Sequence, residues 1–164
     1  MADTSSTTGT TDREITLTRV FDAPRELVFK AWTDPDQLIK WWGPNGFTNT
    51  FQEIEVRPGG VWRFIMHGPD GVDYQNLIVY NEIAAPERLV YSHGSGVEDD
   101  PGQFQVTVTF AERDGKTELT MRSLFATAAE RDKVIREYRA VEGGNQTLDR
   151  LGEHLAKMAG RALS

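Results

Sequence analysis

Cysteine is absent from the 164 residues, which excludes disulfides, thiolate nucleophiles and any metal site built on sulfur. No apolar run approaches the roughly 18 residues that a membrane-spanning helix needs, so no membrane is expected as a partner. Lys and Arg form no run either. With a formal net charge of −7 the chain offers no clustered basic surface for phosphates, and nucleic acid is not expected as a partner. The segment from Met1 to Asp12 lacks the basic start and apolar centre of a signal peptide. Histidine is scarce: His67, His93 and His154 fall in no HxxxH or HExxH spacing, so neither a metal site nor another cofactor is expected. Ser92, Ser95 and Ser123 lack the Gly-x-Ser-x-Gly setting of a hydrolase nucleophile. Pro58-Gly59-Gly60 lacks the Gly-Lys-Ser/Thr ending of a phosphate loop and runs into a strand. These absences leave the expectation of a soluble domain of the cytoplasm with no catalytic motif on view.

What is present is a single domain's worth of patterned chain. A length of 164 residues suits one core, and 38% hydrophobic residues are enough to fill it. Residues 1–12, rich in Ser and Thr, read as a disordered tail, and residues 13–164 as one domain. The run from Ile15 to Phe21 alternates as a strand does. Asp22 with Pro24, and then Asp34-Pro35, are two cap-then-proline starts, predicting two short helices that end before Gly43-Pro44.

From Phe47 to Phe125 the period changes to two. Strands are predicted at Phe47–Val56, Gly60–His67, Asp73–Ile83, Arg88–His93, Gln103–Ala111 and Lys116–Phe125, joined by tight turns and hence antiparallel. Alternation puts Trp62, Phe64 and Met66, Leu89 and Tyr91, Phe104, Val106, Val108 and Phe110, and Leu119 and Met121 on the inner face. The segment Ala128–Arg139 reads as a helix. Past Gly143-Gly144 a longer one is expected from about Asn145, with Leu148, Leu151, Leu155 and Met158 on one stripe and His154 off it, in solvent. The fold class is α+β: a curved antiparallel sheet of about seven strands wrapped around a long C-terminal helix, with two short helices after the first strand.

The aromatic set is larger than a single-layer sheet needs for packing. A strongly curved sheet closed by one helix leaves space in its concavity, and such space takes apolar ligands. The expected cavity residues are Trp62, Phe64, Met66, Tyr91, His93, Phe104 and Val106 from the sheet, with Leu151, Leu155 and Met158 from the helix. No catalytic residue is assigned.

Several motifs together resemble a known family: Arg19-Val20-Phe21-Asp22-Ala23-Pro24, Ala31-Trp32-Thr33-Asp34-Pro35, Trp41-Trp42-Gly43-Pro44, Glu55-Val56-Arg57-Pro58-Gly59-Gly60 and Gln146-Thr147-Leu148-Asp149-Arg150-Leu151. Over residues 14 to about 160 the chain is similar to the SRPBCC (START-like, Bet v-like) superfamily, and within it to the family named after the activator of heat-shock protein 90 ATPase. The resemblance implies a helix-grip fold with a deep hydrophobic cavity between sheet and C-terminal helix. Such proteins often carry an aromatic residue after the glycine that opens the last helix. Here Gly144 follows Gly143, which is expected to enlarge the cavity or loosen the start of the helix. No counterpart of the separate N-terminal domain of the eukaryotic co-chaperone is expected within the 164 residues.

Three functions stay open. The first is a small-molecule binding module holding an apolar or aromatic ligand. The second is an enzyme resembling a polyketide cyclase or hydrolase, with His93 or Tyr91 as the acid–base group. The third is a domain that contacts a chaperone, and a homodimer is also compatible with the sequence.

Overall fold

The computed structural model describes residues 11–96 and 102–163. The expected tail up to residue 10, and Asp99-Asp100 in the glycine-rich loop, lie outside the described residues. After a single 3-10 turn at Thr11–Arg13 the chain forms strand β1 (Glu14–Phe21), helices α1 (Arg25–Thr33) and α2 (Pro35–Trp41), and strands β2 (Thr48–Ile54), β3 (Val61–His67), β4 (Asp73–Ala84), β5 (Arg88–Gly94), β6 (Phe104–Arg113) and β7 (Lys116–Phe125). Helices α3 (Ala128–Tyr138) and α4 (Ala140–Leu163) follow. The seven strands make one antiparallel sheet in the order β1-β7-β6-β5-β4-β3-β2, a meander whose last strand pairs with the first. Register shifts between Phe51 and Glu53 and between Tyr80 and Glu82 insert extra residues into β2 and β4, and such bulges bend a sheet. This is the helix-grip α+β fold.

The inner face is the one alternation predicts. Trp62, Phe64, Ile78, Tyr80, Leu89, Tyr91, Val106, Val108, Phe110 and Leu119 are all buried. Against them pack α1, α2 and the middle of α4, through Val28, Trp32, Leu38, Trp41, Leu148, Leu151 and Leu155. The tryptophans form a chain of ring contacts, edge-on among Trp32, Trp41 and Trp42 and tilted between Trp42 and Trp62. Trp32 meets Trp41 and Trp42 with ring centroids 5.0 and 5.7 Å apart, and Trp42 continues to Trp62 at 4.9 Å. Each such ring buries more apolar area than any aliphatic side chain, so this chain joins the short helices to the sheet.

Three local expectations are corrected. Asp22 does not cap α1. Pro24 occupies the N-cap position without a side-chain bond, and Glu112 of β6 reaches across to accept the Arg25 amide at 3.2 Å. Asp34 does cap α2, accepting from the Asp36 amide as expected. Helix α4 starts at Ala140, not near Asn145, so Gly143 and Gly144 lie inside its first two turns. Arg139, in the left-handed conformation at φ 50°, is the whole link between α3 and α4. His154 is buried, 8% exposed, with Nε2 2.9 Å from Gln37 Oε1, because α2 covers that side of α4.

Candidate functional site

The side of α4 that faces the sheet changes character along its length. In its lower turns the stripe is Leu148, Leu151 and Leu155, and it is solid core. One to two turns earlier the positions are Ala140, Gly143, Gly144 and Thr147, the i, i+3, i+4, i+7 pattern of one helical face carrying almost no side-chain volume. A cavity of about 310 Å³ lies against those small residues. Across it stand Ile15 and Leu17 of β1, Met66 of β3, Tyr91 and His93 of β5, Phe104 of β6, and Met121, Ser123 and Phe125 of β7. Trp42, Gly43 and Pro44, in the loop after α2, complete the wall.

Gly144 faces the tip of the Leu17 side chain of β1 at close range. A Cβ built there would lie 2.5 Å from Leu17 Cδ1, inside contact distance. The loop wall is tied to the helix by two side chains. Arg150 Nη1 donates to the carbonyl oxygens of Gly43 at 2.8 Å, Pro44 at 3.0 Å and Trp42 at 3.2 Å, and Gln146 Oε1 accepts from the Asn45 amide. Burial lowers the Arg150 pKa, partly offset by the nearby Glu153 carboxylate.

Every side chain in the cavity wall is uncharged or a histidine. His93 has Nε2 2.8 Å from Asn76 Oδ1, and its ring lies 5.0 Å from that of Phe104. Tyr91 is buried, and desolvation, with a smaller contribution from Tyr80, drives its pKa far above the ordinary tyrosine value. Burial raises Tyr80 as well. Both phenols are therefore fixed as neutral groups at any ordinary pH.

Stability must then fall at high pH. A group whose folded pKa is raised binds its proton longer in the native state than in the unfolded one. The stabilisation it gives is complete below the unfolded pKa of 10.0 and is lost as pH climbs toward the folded value. Above pH 10 the unfolding free energy should drop by about 1.4 kcal/mol per pH unit for each of the two tyrosines. Denaturant titrations at stepped alkaline pH check this, and a Tyr80→Phe variant should show about half the slope.

Four of the ten residues expected around the cavity line it: Met66, Tyr91, His93 and Phe104. Trp62, Phe64, Val106, Leu151 and Leu155 are instead packed in the core, at 2%, 0%, 0%, 0% and 6% exposure. Met158 belongs to a separate polar depression on the surface with Lys40, Arg150, Glu153, His154 and Lys157. The cavity sits one to two turns nearer the N-terminus of α4 than the leucine stripe suggests. The feature that locates it is the set of small residues that continue the stripe backwards through 147, 144, 143 and 140, a stretch that as sequence resembles a break before the helix.

A second constellation is invisible to sequence spacing. Thr50 Oγ1 lies 2.7 Å from His67 Nε2, and His67 Nδ1 lies 2.8 Å from Asp73 Oδ1. This is the connectivity of a nucleophile, a base and an orienting carboxylate. However, it lies on the outer face of β2, β3 and β4 with Thr50 and Asp73 exposed, and none of the three lines the cavity. It reads as a cross-strand polar ladder. Glu53 and Glu55 are exposed too. Among the described residues no group of three or more His, Asp or Glu is placed to hold a metal ion. Nor is any described helix long and apolar enough to cross a membrane.

A grip of curved sheet around one helix, with an apolar hollow between them, defines the START-like, Bet v-like class of ligand-binding domain. Within that class the sequence matches the family model "Activator of Hsp90 ATPase homolog 1-like protein" over residues 22–156, and the chain belongs to that family. A solution structure from Arthrobacter aurescens is 27% identical with a TM-score of 0.83, covering 91% of this chain and 89% of that one. A crystal structure from Mycobacterium smegmatis is also 27% identical, with a TM-score of 0.81 and coverage of 92% and 95%. A crystal structure from Nitrosomonas europaea, 22% identical with a TM-score of 0.81, covers 92% of this chain and 98% of that one, and bears on the fold alone. No curated protein sequence matches the chain.

Proposed function

We propose that this protein is a small-molecule binding module that holds an uncharged apolar or aromatic ligand between the sheet and the first turns of α4. The observation that carries this reading is the hollow itself. About 310 Å³ is left open in a domain whose neighbouring core is filled with large aromatic side chains, and the helical face beside it is made of Ala, Gly, Gly and Thr. A core under selection for packing alone has no use for such a gap, because unfilled volume forfeits dispersion contacts. A dry apolar cavity of about 150 Å³ holds one benzene, so this one suits a molecule of about two fused rings.

The enzymatic alternative asks Tyr91 or His93 to move protons. Burial keeps the Tyr91 hydroxyl protonated, which suits a hydrogen-bond donor and not a base. The chaperone alternative has the family's name behind it and no feature of the described surface.

Naphthalene is a suitable first probe. Titrated into the native protein it should quench indole emission saturably with one-to-one stoichiometry, since the Trp42 ring is part of the wall. Native mass spectrometry of the freshly purified protein should show a bound small molecule or the one-to-one naphthalene adduct. Quenching that appears only as the protein begins to unfold would overturn the reading.

A further inference from the structure

Four buried hydrogen-bond donors have no partner among the described residues: the indole N–H groups of Trp32 and Trp62 and the hydroxyls of Tyr80 and Tyr91. Unpaired buried donors are costly and few in native proteins, so four call for a reason. They are not scattered. All four residues line one small internal void beneath the tryptophan chain, together with Trp42, Ile78 and Leu89. That void as it stands has no room for a water molecule, so water does not supply the missing acceptor. Two of its walls, Trp42 and Tyr91, are also walls of the 310 Å³ cavity, so the two spaces adjoin at these two residues.

We propose that this void is the hydrogen-bonding end of the ligand site, opened by movement of the Trp42 and Tyr91 rings, and that it receives the carbonyl oxygen of an uncharged aromatic ligand. The inference rests on the ligand-binding reading above and adds the chemical class. An indole N–H donates and cannot accept, so the complement to Trp32 and Trp62 must carry an acceptor. Tyr80 and Tyr91 are held protonated by burial and can donate as well. A carboxylate would also accept, but no cationic Lys or Arg side chain lines either space, and an unpaired buried charge is far more costly than a buried carbonyl. A pocket that opens past side chains is a minor conformation which the ligand makes dominant. The aromatic body of the ligand fills the outer cavity and its oxygen reaches past Tyr91.

Three probes and one variant test this. Naphthalene, 2-acetylnaphthalene and 2-naphthoate share a ring system and differ in oxygen and charge. The wild-type protein should bind the ketone at least about tenfold more tightly than naphthalene, the effect of a well-made buried hydrogen bond, and should bind the carboxylate more weakly than either. Tyr80 lines the void and not the outer cavity. Tyr80→Phe should therefore remove most of the ketone's advantage while naphthalene affinity stays within about twofold. The variant should fold, because the hydroxyl it loses has no partner to strand, and its melting temperature reports on that directly. If naphthalene and the ketone bind equally, or the ketone keeps its advantage in Tyr80→Phe, the void is not the polar end of the site and the binding module stands without it. If neither neutral probe binds, the binding module itself falls, and this inference with it.

Discussion

Replacing Gly144 with tryptophan should abolish binding of a naphthalene-sized probe while leaving the protein at least as stable as before. Gly144 lies on the cavity wall, in the first turns of α4, and its Cβ direction points at Leu17 Cδ1. Leu17 also lines the cavity, so its side chain has open space into which to swing when the new side chain arrives. The indole would then occupy much of the 310 Å³. Probe affinity should fall by at least about a hundredfold, since steric exclusion of several kcal/mol leaves little binding. Stability should move the other way. Glycine is the poorest helix former after proline, and most replacements in a helix gain about 0.5 kcal/mol or more before any burial of the indole is counted. Unchanged naphthalene affinity in Gly144→Trp would place the binding site elsewhere.

Truncating Leu151 to alanine should do the converse, costing stability and sparing binding. Leu151 is fully buried in the packed half of the α4 stripe, against the sheet and the short helices, and it does not line the cavity. Removing a leucine from such a site costs about 2–5 kcal/mol, the lost transfer energy adding to the void left behind. That is a large part of the roughly 5–15 kcal/mol that stabilises a typical domain. Denaturant unfolding should register the loss, and naphthalene affinity measured well below the midpoint should be unaltered. A cost under about 1 kcal/mol would mean that the lower half of the helix also borders open space.

The opposed behaviour of two residues seven positions apart on one helix is what distinguishes a filled half from an open half. The sequence reads that helix only in part. Leucines at 148, 151 and 155 announce a buried stripe because apolar side chains at helical spacing have one cause, and they are buried. Continuation of the stripe through Thr147, Gly144, Gly143 and Ala140 is masked, because paired glycines are normally punctuation between elements. In place they stay helical, and their lack of side chains leaves the cavity. The strands were legible for a simpler reason: alternation from Val61 to Phe125 is enforced by a sheet with one wet and one dry face.

Other features depend on register or on distant chain and leave no local trace. Thr50 and His67 meet as diagonal neighbours across β2 and β3, which requires knowing that Thr48 pairs with His67. Arg150 holds three successive carbonyls of a loop more than a hundred residues away, and nothing about an arginine on a helix predicts it. The burial of His154 likewise depends on Gln37 of α2. The unpaired donors on Trp32, Trp62, Tyr80 and Tyr91 can be counted only when every buried polar atom has been placed.

The most direct measurement is the position of a bound probe. Crystals of the protein equilibrated with 2-bromonaphthalene would locate the bromine by its anomalous scattering. The expected result is a single peak inside the hollow, between Gly144 and Phe104, with the rings against Leu17, Met121 and Trp42. Bromine found only on the outer surface, or in the polar depression beside Arg150 and Lys157, would contradict a ligand site between sheet and helix.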